Sequence, residues 1–298
     1  MHIKDNSALT FFRSMNPFVN GITIEHMTQK EVNVAIEWAR REGWNPGVHD
    51  AECFYQADPD GFWAAKLNGE IVGTISLVRY QRDFVFEGLY IVKPEFRNRG
   101  IGLQIQNFAL ELCKGINFGL DGVVSMRQKY IQYGLKFAHI NTRYSGTAQD
   151  NPSKQCQPIK RKDFSEIATF DAECFGFDRS RFLDCWLFQE DSVSLLIHNT
   201  KTGEISGYGV IRKCIQGHKI GPLFASTMND AECLFKDLKS TVPNENIFID
   251  VPQPNLAAVN LTQKEHLQPV FSTVRMYAKT APKIPITRIF GITTFELG

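Results

Sequence analysis

The residue types best suited to chemistry stand together in one stretch, Leu89-Tyr-Ile-Val-Lys-Pro-Glu-Phe-Arg-Asn-Arg-Gly-Ile-Gly102. A strand ends at Val92, Pro94 breaks it, and Gly100 opens a helix. A helix start exposes unpaired N–H groups and the positive end of the helix dipole, so it binds phosphate. Glycines at 100 and 102 let a pyrophosphate reach the backbone with no Cβ in the way. Arg97 and Arg99 bring charge that pairs with phosphate oxygens. The plain alternative is a strand-to-helix turn whose glycines serve packing alone. No Gly-Lys-Ser/Thr follows, so the stretch is not a P-loop, and it lacks the GxGxxG of a dinucleotide fold.

Those residues need a strand before them and a long helix after them. Residues 84–92 read as the strand. Residues 100–114 read as the helix, with Ile101, Ile105, Phe108, Ala109 and Leu112 on one face. Upstream, 22–26 alternates as a short strand, and Thr28 with Glu31 makes a capping box for a helix that Gly43 stops. A short helix is predicted over 49–56, then a hairpin of 62–67 and 71–80 around Asn68-Gly69. Downstream come an apolar strand at 121–126, a short helix at 128–133 ended by Gly134, and a strand at 138–144.

After Asp150-Asn-Pro-Ser153 the same order of elements begins again, ending with strands expected at 270–277 and 289–295. Asp50-Ala-Glu-Cys-Phe54 recurs identically as Asp171-Ala-Glu-Cys-Phe175. Asn68-Gly-Glu-Ile-Val-Gly73 is echoed by Thr202-Gly-Glu-Ile-Ser-Gly207. Agreement in both words and order points to duplication. The expected fold class is mixed α/β (α+β), in two tandem domains, each a mostly antiparallel twisted sheet flanked by helices. Their expected extents are an arm over 1–20, a first domain over 21–149 and a second over 150–298.

Composition narrows the partners. The 298 residues suit two domains of roughly 150 each. A net charge of +1 with acids and bases interspersed argues against nucleic acid. No apolar run approaches the roughly 20 residues of a membrane helix, and the first residues do not read as a secretory signal. Seven scattered cysteines, never spaced CxxC, read as buried thiols rather than a disulfide set or zinc site. No metal is expected, and a reducing compartment, cytoplasm or nucleus, follows. A monomer or weak homodimer is expected.

Arg97-x-x-Gly100-x-Gly102, preceded by Val92-Lys-Pro94, resembles the acetyl-CoA pyrophosphate signature of the GCN5-related N-acetyltransferase (GNAT) superfamily. Tyr130-Ile-Gln-Tyr-Gly134-Leu135 resembles a second motif of that family, a Tyr four residues before the Gly that ends a short helix. Trp44-Asn-Pro-Gly47, Asp58-Pro-Asp-Gly61-Phe62 and Arg275-Met-Tyr277 resemble tandem, YitH-like members with a degenerate second GNAT domain. The resemblance implies acetyl-CoA as cofactor, with its pyrophosphate on the N–H groups of Arg97, Asn98, Arg99, Gly100, Ile101 and Gly102. It implies that the N–H groups near Ile91 and Val92 hold the thioester oxygen, at the end of a strand splayed from its neighbour. Tyr130 matches the proton donor to the thiolate, with Tyr133 as the competing hydroxyl. Glu87 is a candidate base, or a solvated strand carboxylate.

The implied reaction is N-acetylation of a primary amine, on a small molecule or a lysine side chain. The alternatives are a protein (histone-type) lysine acetyltransferase and a non-catalytic acyl-CoA-binding sensor. Trp44, Asn45 and Asp50 lie in the loop that covers the acceptor site in the family. Asp50 is a candidate for a substrate ammonium, or a plain helix cap. The second half lacks Arg and Gly-x-Gly at Ala225-Ser-Thr-Met, and His266 and Thr262 stand where the first copy has Gly134 and Tyr130. Its Asp250, Asn255, Arg275 and Tyr277 are candidates to line the acceptor pocket. Otherwise Arg275 and Asp250 form an internal ion pair.

Overall fold

The computed structural model of the chain describes residues 21–298, so the arm expected over 1–20 lies outside the described residues. The chain starts with β1 (Ile22–His26), α1 (Gln29–Arg41) and α2 (Asp50–Ala57). The capping box is present: Thr28 Oγ1 accepts from the Glu31 N–H at 3.3 Å, and Glu31 accepts from the Thr28 N–H at 2.7 Å. The meander β2 (Phe62–Leu67), β3 (Glu70–Gln81) and β4 (Phe84–Val92) follows, then α3 (Ile101–Leu112). This half ends with β5 (Asn117–Val123), α4 (Arg127–Gln132) and β6 (Lys136–Thr147).

The order repeats as β7 (Gln157–Pro158), α5 (Phe164–Phe175), α6 (Ser180–Phe188), β8 (Ser192–His198), β9 (Ile205–Lys213) and β10 (His218–Ala225). It closes with α7 (Met228–Lys239), β11 (Asn246–Pro252), α8 (Leu256–Lys264), β12 (Gln268–Tyr277) and the short β13 (Ile289–Gly291). Two expected strands differ. The one placed at 121–126 runs Asn117–Val123, because Phe118 and Leu120 turn into the core under α3. The one placed at 289–295 stops at Gly291, beyond which the chain leaves the sheet.

All strands among the described residues join one sheet, in the order β1-β2-β3-β4-β5-β12-β6-β11-β10-β9-β8-β7, with β13 on β10. The two halves exchange their last strands: β12 lies beside β5, and β6 lies beside β11. Each exchange carries an ion pair between directly opposed residues. Arg275 faces Asp121 across β12 and β5, and Arg143 faces Asp250 across β6 and β11. Both are bidentate, with 2.9 Å for Arg275 Nε to Asp121, and 2.6 and 2.8 Å for Arg143 to Asp250. Among the described residues, no helix is long and apolar enough to cross a membrane.

One cysteine pair departs from the expected free thiols. Cys53 on α2 and Cys185 on α6 are disulfide-bonded, with Cα atoms 5.3 Å apart. These helices belong to different halves and are 132 residues apart in sequence, so Cys spacing carried no sign of the contact. Cys113, Cys156, Cys174, Cys214 and Cys233 are free.

The halves also meet through Asp50, which forms a fully buried bidentate pair with Arg212 of β9 at 2.8 and 3.1 Å. Burial alone would raise the Asp50 carboxyl; the charge and hydrogen bonds of Arg212, then Lys219, outweigh it and hold it below the usual range. Removing one partner strands a buried charge, at a cost of about 3–5 kcal/mol. Asp50→Asn is therefore expected to lose stability of that order in urea unfolding. A loss under about 1 kcal/mol would show that Arg212 finds water or another partner.

Candidate active site

β4 and β5 run parallel but pair only over Phe84–Glu87 and Asn117–Leu120, beyond which they diverge. The divergence starts at a bulge. Leu89 has φ of 45°, and the β3–β4 register shifts between Thr74 and Ser76. The Thr74 hydroxyl donates to the Leu89 carbonyl at 2.7 Å, and the Leu89 side chain is buried among α1 and α2 residues. Left-handed backbone at a branched residue costs about 1–3 kcal/mol, so these contacts must hold it. Between the diverging strands opens a cleft of about 600 Å³.

One end of the cleft is the first turn of α3, present through Gly100, Gly102 and Leu103. Gly100 enters the helix at φ of 80° and Asn98 stands at 60°, so the chain reverses sharply there. The N–H groups of a first turn have no intrahelical acceptor. Gly102 has a packing role as well: a Cβ would stand 2.7 Å from the Tyr90 hydroxyl, which donates to the Gly102 carbonyl at 2.7 Å. Arg97 donates to the Val92 carbonyl at 2.9 Å and pairs with Glu42. Arg99 lies 5.3 Å above the Phe96 ring. A left-handed glycine, a bare helix start and an arginine whose only charged partner is a surface carboxylate fit a pyrophosphate.

Deeper in the cleft, the Tyr130 ring lies on β5, where a Cβ at Gly122 would be 2.1 Å from it. Its hydroxyl oxygen is hydrogen-bonded to the Val123 backbone. Burial, then the nearby Glu87, push the Tyr130 hydroxyl well above its ordinary range, so it keeps its proton. Tyr133 is half-buried beside the same core and does not line the cleft. Glu87 is 4% exposed, and burial pushes its carboxyl up to about 7, opposed only by Gln106 Nε2 at 3.5 Å.

A family model described as the acetyltransferase (GNAT) family matches residues 30–126, and one described as an acetyltransferase (GNAT) domain matches 167–291. The chain is a tandem member of the GNAT superfamily. Its chemistry is acyl transfer from acyl-CoA. It is similar to holothin acyltransferase of Pseudoalteromonas sp. (strain SANK 73390), with 29% identity over 90% of this chain and 92% of that one. Among solved structures it resembles a putative acetyltransferase from Pyrococcus horikoshii, with TM-score 0.77 and 22% identity over 95% of this chain and 98% of that one. A tandem GNAT protein from the clavulanic acid biosynthesis pathway superposes with TM-score 0.61 and 10% identity over 87% and 99%. At those identities the two structures speak to the fold alone.

The second GNAT unit repeats the splay and fills it. β10 and β11 pair in parallel over His218–Ile220 and Ile247–Ile249, and β10 then shifts register between Ile220 and Leu223. Where the first half has an open cleft, β13 pairs with β10, placing Gly291 against Leu223 and Ile289 against Phe224. Just beyond it, the Ile292 N–H donates to the Asp250 carbonyl at 2.8 Å. Gly221 leaves room for this: a Cβ there would be 2.6 Å from the Ile292 carbonyl oxygen. His266 at φ of 57° occupies the left-handed turn that Gly134 makes at 88° in the first copy.

The residues expected around an acceptor are where sequence and structure differ most. Trp44 lines the cleft. Asn45 does not, because its amide is committed at both ends to the Gln216 backbone. Asp50 holds Arg212 rather than facing the cleft. Asp250 and Arg275 do not pair with each other or reach the cleft, since each is taken by the exchanged strand opposite. Asn255 caps α8 and donates to the Ile289 carbonyl at 2.9 Å, which anchors β13. Tyr277 packs over Gly119, behind the cleft. The second half reaches the cleft instead through Phe271, Thr273, Phe295 and Glu296. No local motif marks these four; only the strand exchange and the chain after β13 bring them there.

Two outcomes are expected. The folded Glu87 carboxyl holds its proton up to about 7, whereas the unfolded chain releases it near about 4.3. The associated stability is full below about 4.3 and is lost as pH rises through about 7. Glu87→Gln removes this dependence, so between about pH 4 and 8 its stability should gain up to about 4 kcal/mol relative to wild type in denaturant titrations. Parallel curves would mean that Glu87 ionises freely. Glu42→Gln frees Arg97, so acetyl-CoA should bind several-fold more tightly by calorimetry, an advantage that shrinks in salt.

Proposed function

We propose that this chain transfers an acetyl group from acetyl-CoA to the primary amine of a small molecule. Bound acetyl-CoA supplies an activated thioester. The N–H groups from Arg97 to Gly102 hold its pyrophosphate, and those near Ile91 and Val92 hold the thioester oxygen, a kind of contact typically worth about 3 kcal/mol in the transition state. Tyr130, kept protonated by burial, gives its proton to the departing sulfur. Glu87 stands among Tyr90, Tyr130 and Tyr133 and replenishes that proton. Residues 21–149 form the cofactor-binding unit and 150–298 the unit that walls the acceptor end. The family description supports acetyl as the group carried.

The observation that carries the acceptor assignment is the wall itself. Phe271, Thr273, Phe295 and Glu296 of the second half line the same cleft as Trp44 of the first. A lysine on a folded protein needs an open groove, and a concave cleft lined by aromatic side chains from both halves favours a free amine. A sensor without turnover has no use for a protonated tyrosine beside the thiol position.

One acetyl-CoA should bind per chain by calorimetry, because β13 fills the second cleft. Two equivalent sites would overturn this. Tyr130→Phe should lower kcat by about tenfold or more with acetyl-CoA affinity unchanged, as thiol release with a panel of amines would report. Full activity in that variant would make Tyr130 a packing residue.

A further inference from the structure

The cleft holds a second buried carboxylate that no motif marks. Glu296 is 5% exposed, lines the acceptor end and comes from the chain that follows β13. Its backbone is fixed from both sides. The carbonyl oxygen lies 2.1 Å from where a Cβ on Gly88 would stand, so only glycine is tolerated at that point of β4. The Tyr80 hydroxyl donates to the next carbonyl, Leu297, at 2.8 Å. The cations around it have other partners: Arg143 pairs with Asp250, Arg212 pairs with Asp50, and Lys219 donates to the Asn45 carbonyl at 2.9 Å. Glu296 therefore carries a carboxylate that no ion pair consumes.

Its placement relative to Glu87 follows from strand geometry. Successive residues of a strand face opposite sides. Glu87 faces Gln106 of α3, and its neighbour Gly88 faces Glu296. Glu87 thus stands on the face of β4 turned to α3, near Tyr130, and the Glu296 backbone packs on the other face, so the two residues reach the same cleft from opposite faces of the strand. Two separate carboxylates reaching one cleft suit a reaction that protonates sulfur and deprotonates nitrogen.

We propose that Glu296 is the catalytic base that takes the proton from the acceptor ammonium. This rests on the acetyl transfer proposed above. The carboxylate accepts one proton from the ammonium and releases it to solvent after turnover. The neutral nitrogen then forms its bond to the acetyl carbon as the carbon–sulfur bond breaks, with the electron pair leaving on sulfur. Tyr130 gives its proton to that sulfur and is reprotonated by Glu87, which the second proton shed by nitrogen restores through water. Burial raises the Glu296 carboxyl; Lys219 and Arg143 oppose the rise, and Asp50 adds to it. A base with a raised pKa lies closer to an alkylammonium, which eases the transfer.

The test compares two acceptors with acetyl-CoA, wild type and Glu296→Gln at neutral pH. Benzylamine is protonated there and needs a base, whereas aniline is already neutral. The variant should lose about 100-fold or more in kcat/KM with benzylamine and less than about tenfold with aniline. Raising the pH to about 10 should restore much of the benzylamine rate. Acetyl-CoA affinity and melting temperature establish that the variant is folded, and Glu296→Asp, which keeps a carboxylate, should recover part of the benzylamine activity. Equal losses with both amines, or none with either, in a variant that binds acetyl-CoA normally would overturn the role of Glu296 alone. A wild type that binds acetyl-CoA but acetylates neither of these amines nor any of a wider panel would overturn the acetyl-transfer reading and this inference with it.

Discussion

Two parallel strands that diverge leave backbone N–H and C=O groups without partners, and buried backbone groups do not stay unpaired. Both halves of this chain contain that divergence, at the same place in the repeat. In the first, the Leu89 bulge parts β4 from β5 and leaves a cleft for a ligand that can itself pair with the exposed backbone. In the second, the chain supplies its own strand, and β13 takes the position. The halves differ in how each one satisfies the same unpaired backbone.

The exchange of β6 and β12 explains why charged residues of the second half are structural. Strands swapped between halves place Asp and Arg opposite each other twice, as Asp121–Arg275 and Asp250–Arg143. Asp50–Arg212 adds a third buried pair across the halves. Such pairs gain little over a hydrophobic contact but punish misalignment, because an unpaired buried charge is costly. They fix the register of the joined sheet, and with it the position of Phe271 and Thr273 on β12 in the cleft that Trp44 also lines.

The parts of the molecule legible in the sequence are those written over short spans. Thr28 and Glu31 announce the start of α1, Asn68-Gly69 announces a hairpin, and Arg97 to Gly102 marks the turn into α3. The repeated words at Asp50 and Asp171 disclose the duplication. What stayed hidden depends on pairings between residues more than 100 apart: the Cys53–Cys185 disulfide, the partners of Asp50 and Asp250, and the arrival of Phe295 and Glu296. Asp250 and Arg275 looked like site residues because they are polar and late in the chain. Polarity on a strand does not say whether the opposite strand already answers it.

Residues 289–296 link the two outcomes of duplication. β13 is held by β10, by the Asp250 carbonyl and by the Asn255 amide, all in the second half. Immediately afterwards the chain crosses to the first half, where Gly88 and Tyr80 receive it. A segment that entered a ligand's place in one copy thereby became anchored firmly enough to present Phe295 and Glu296 to the other. One anchored segment thus fills the splay of the second half and lines the cleft of the first, which is incomplete without it.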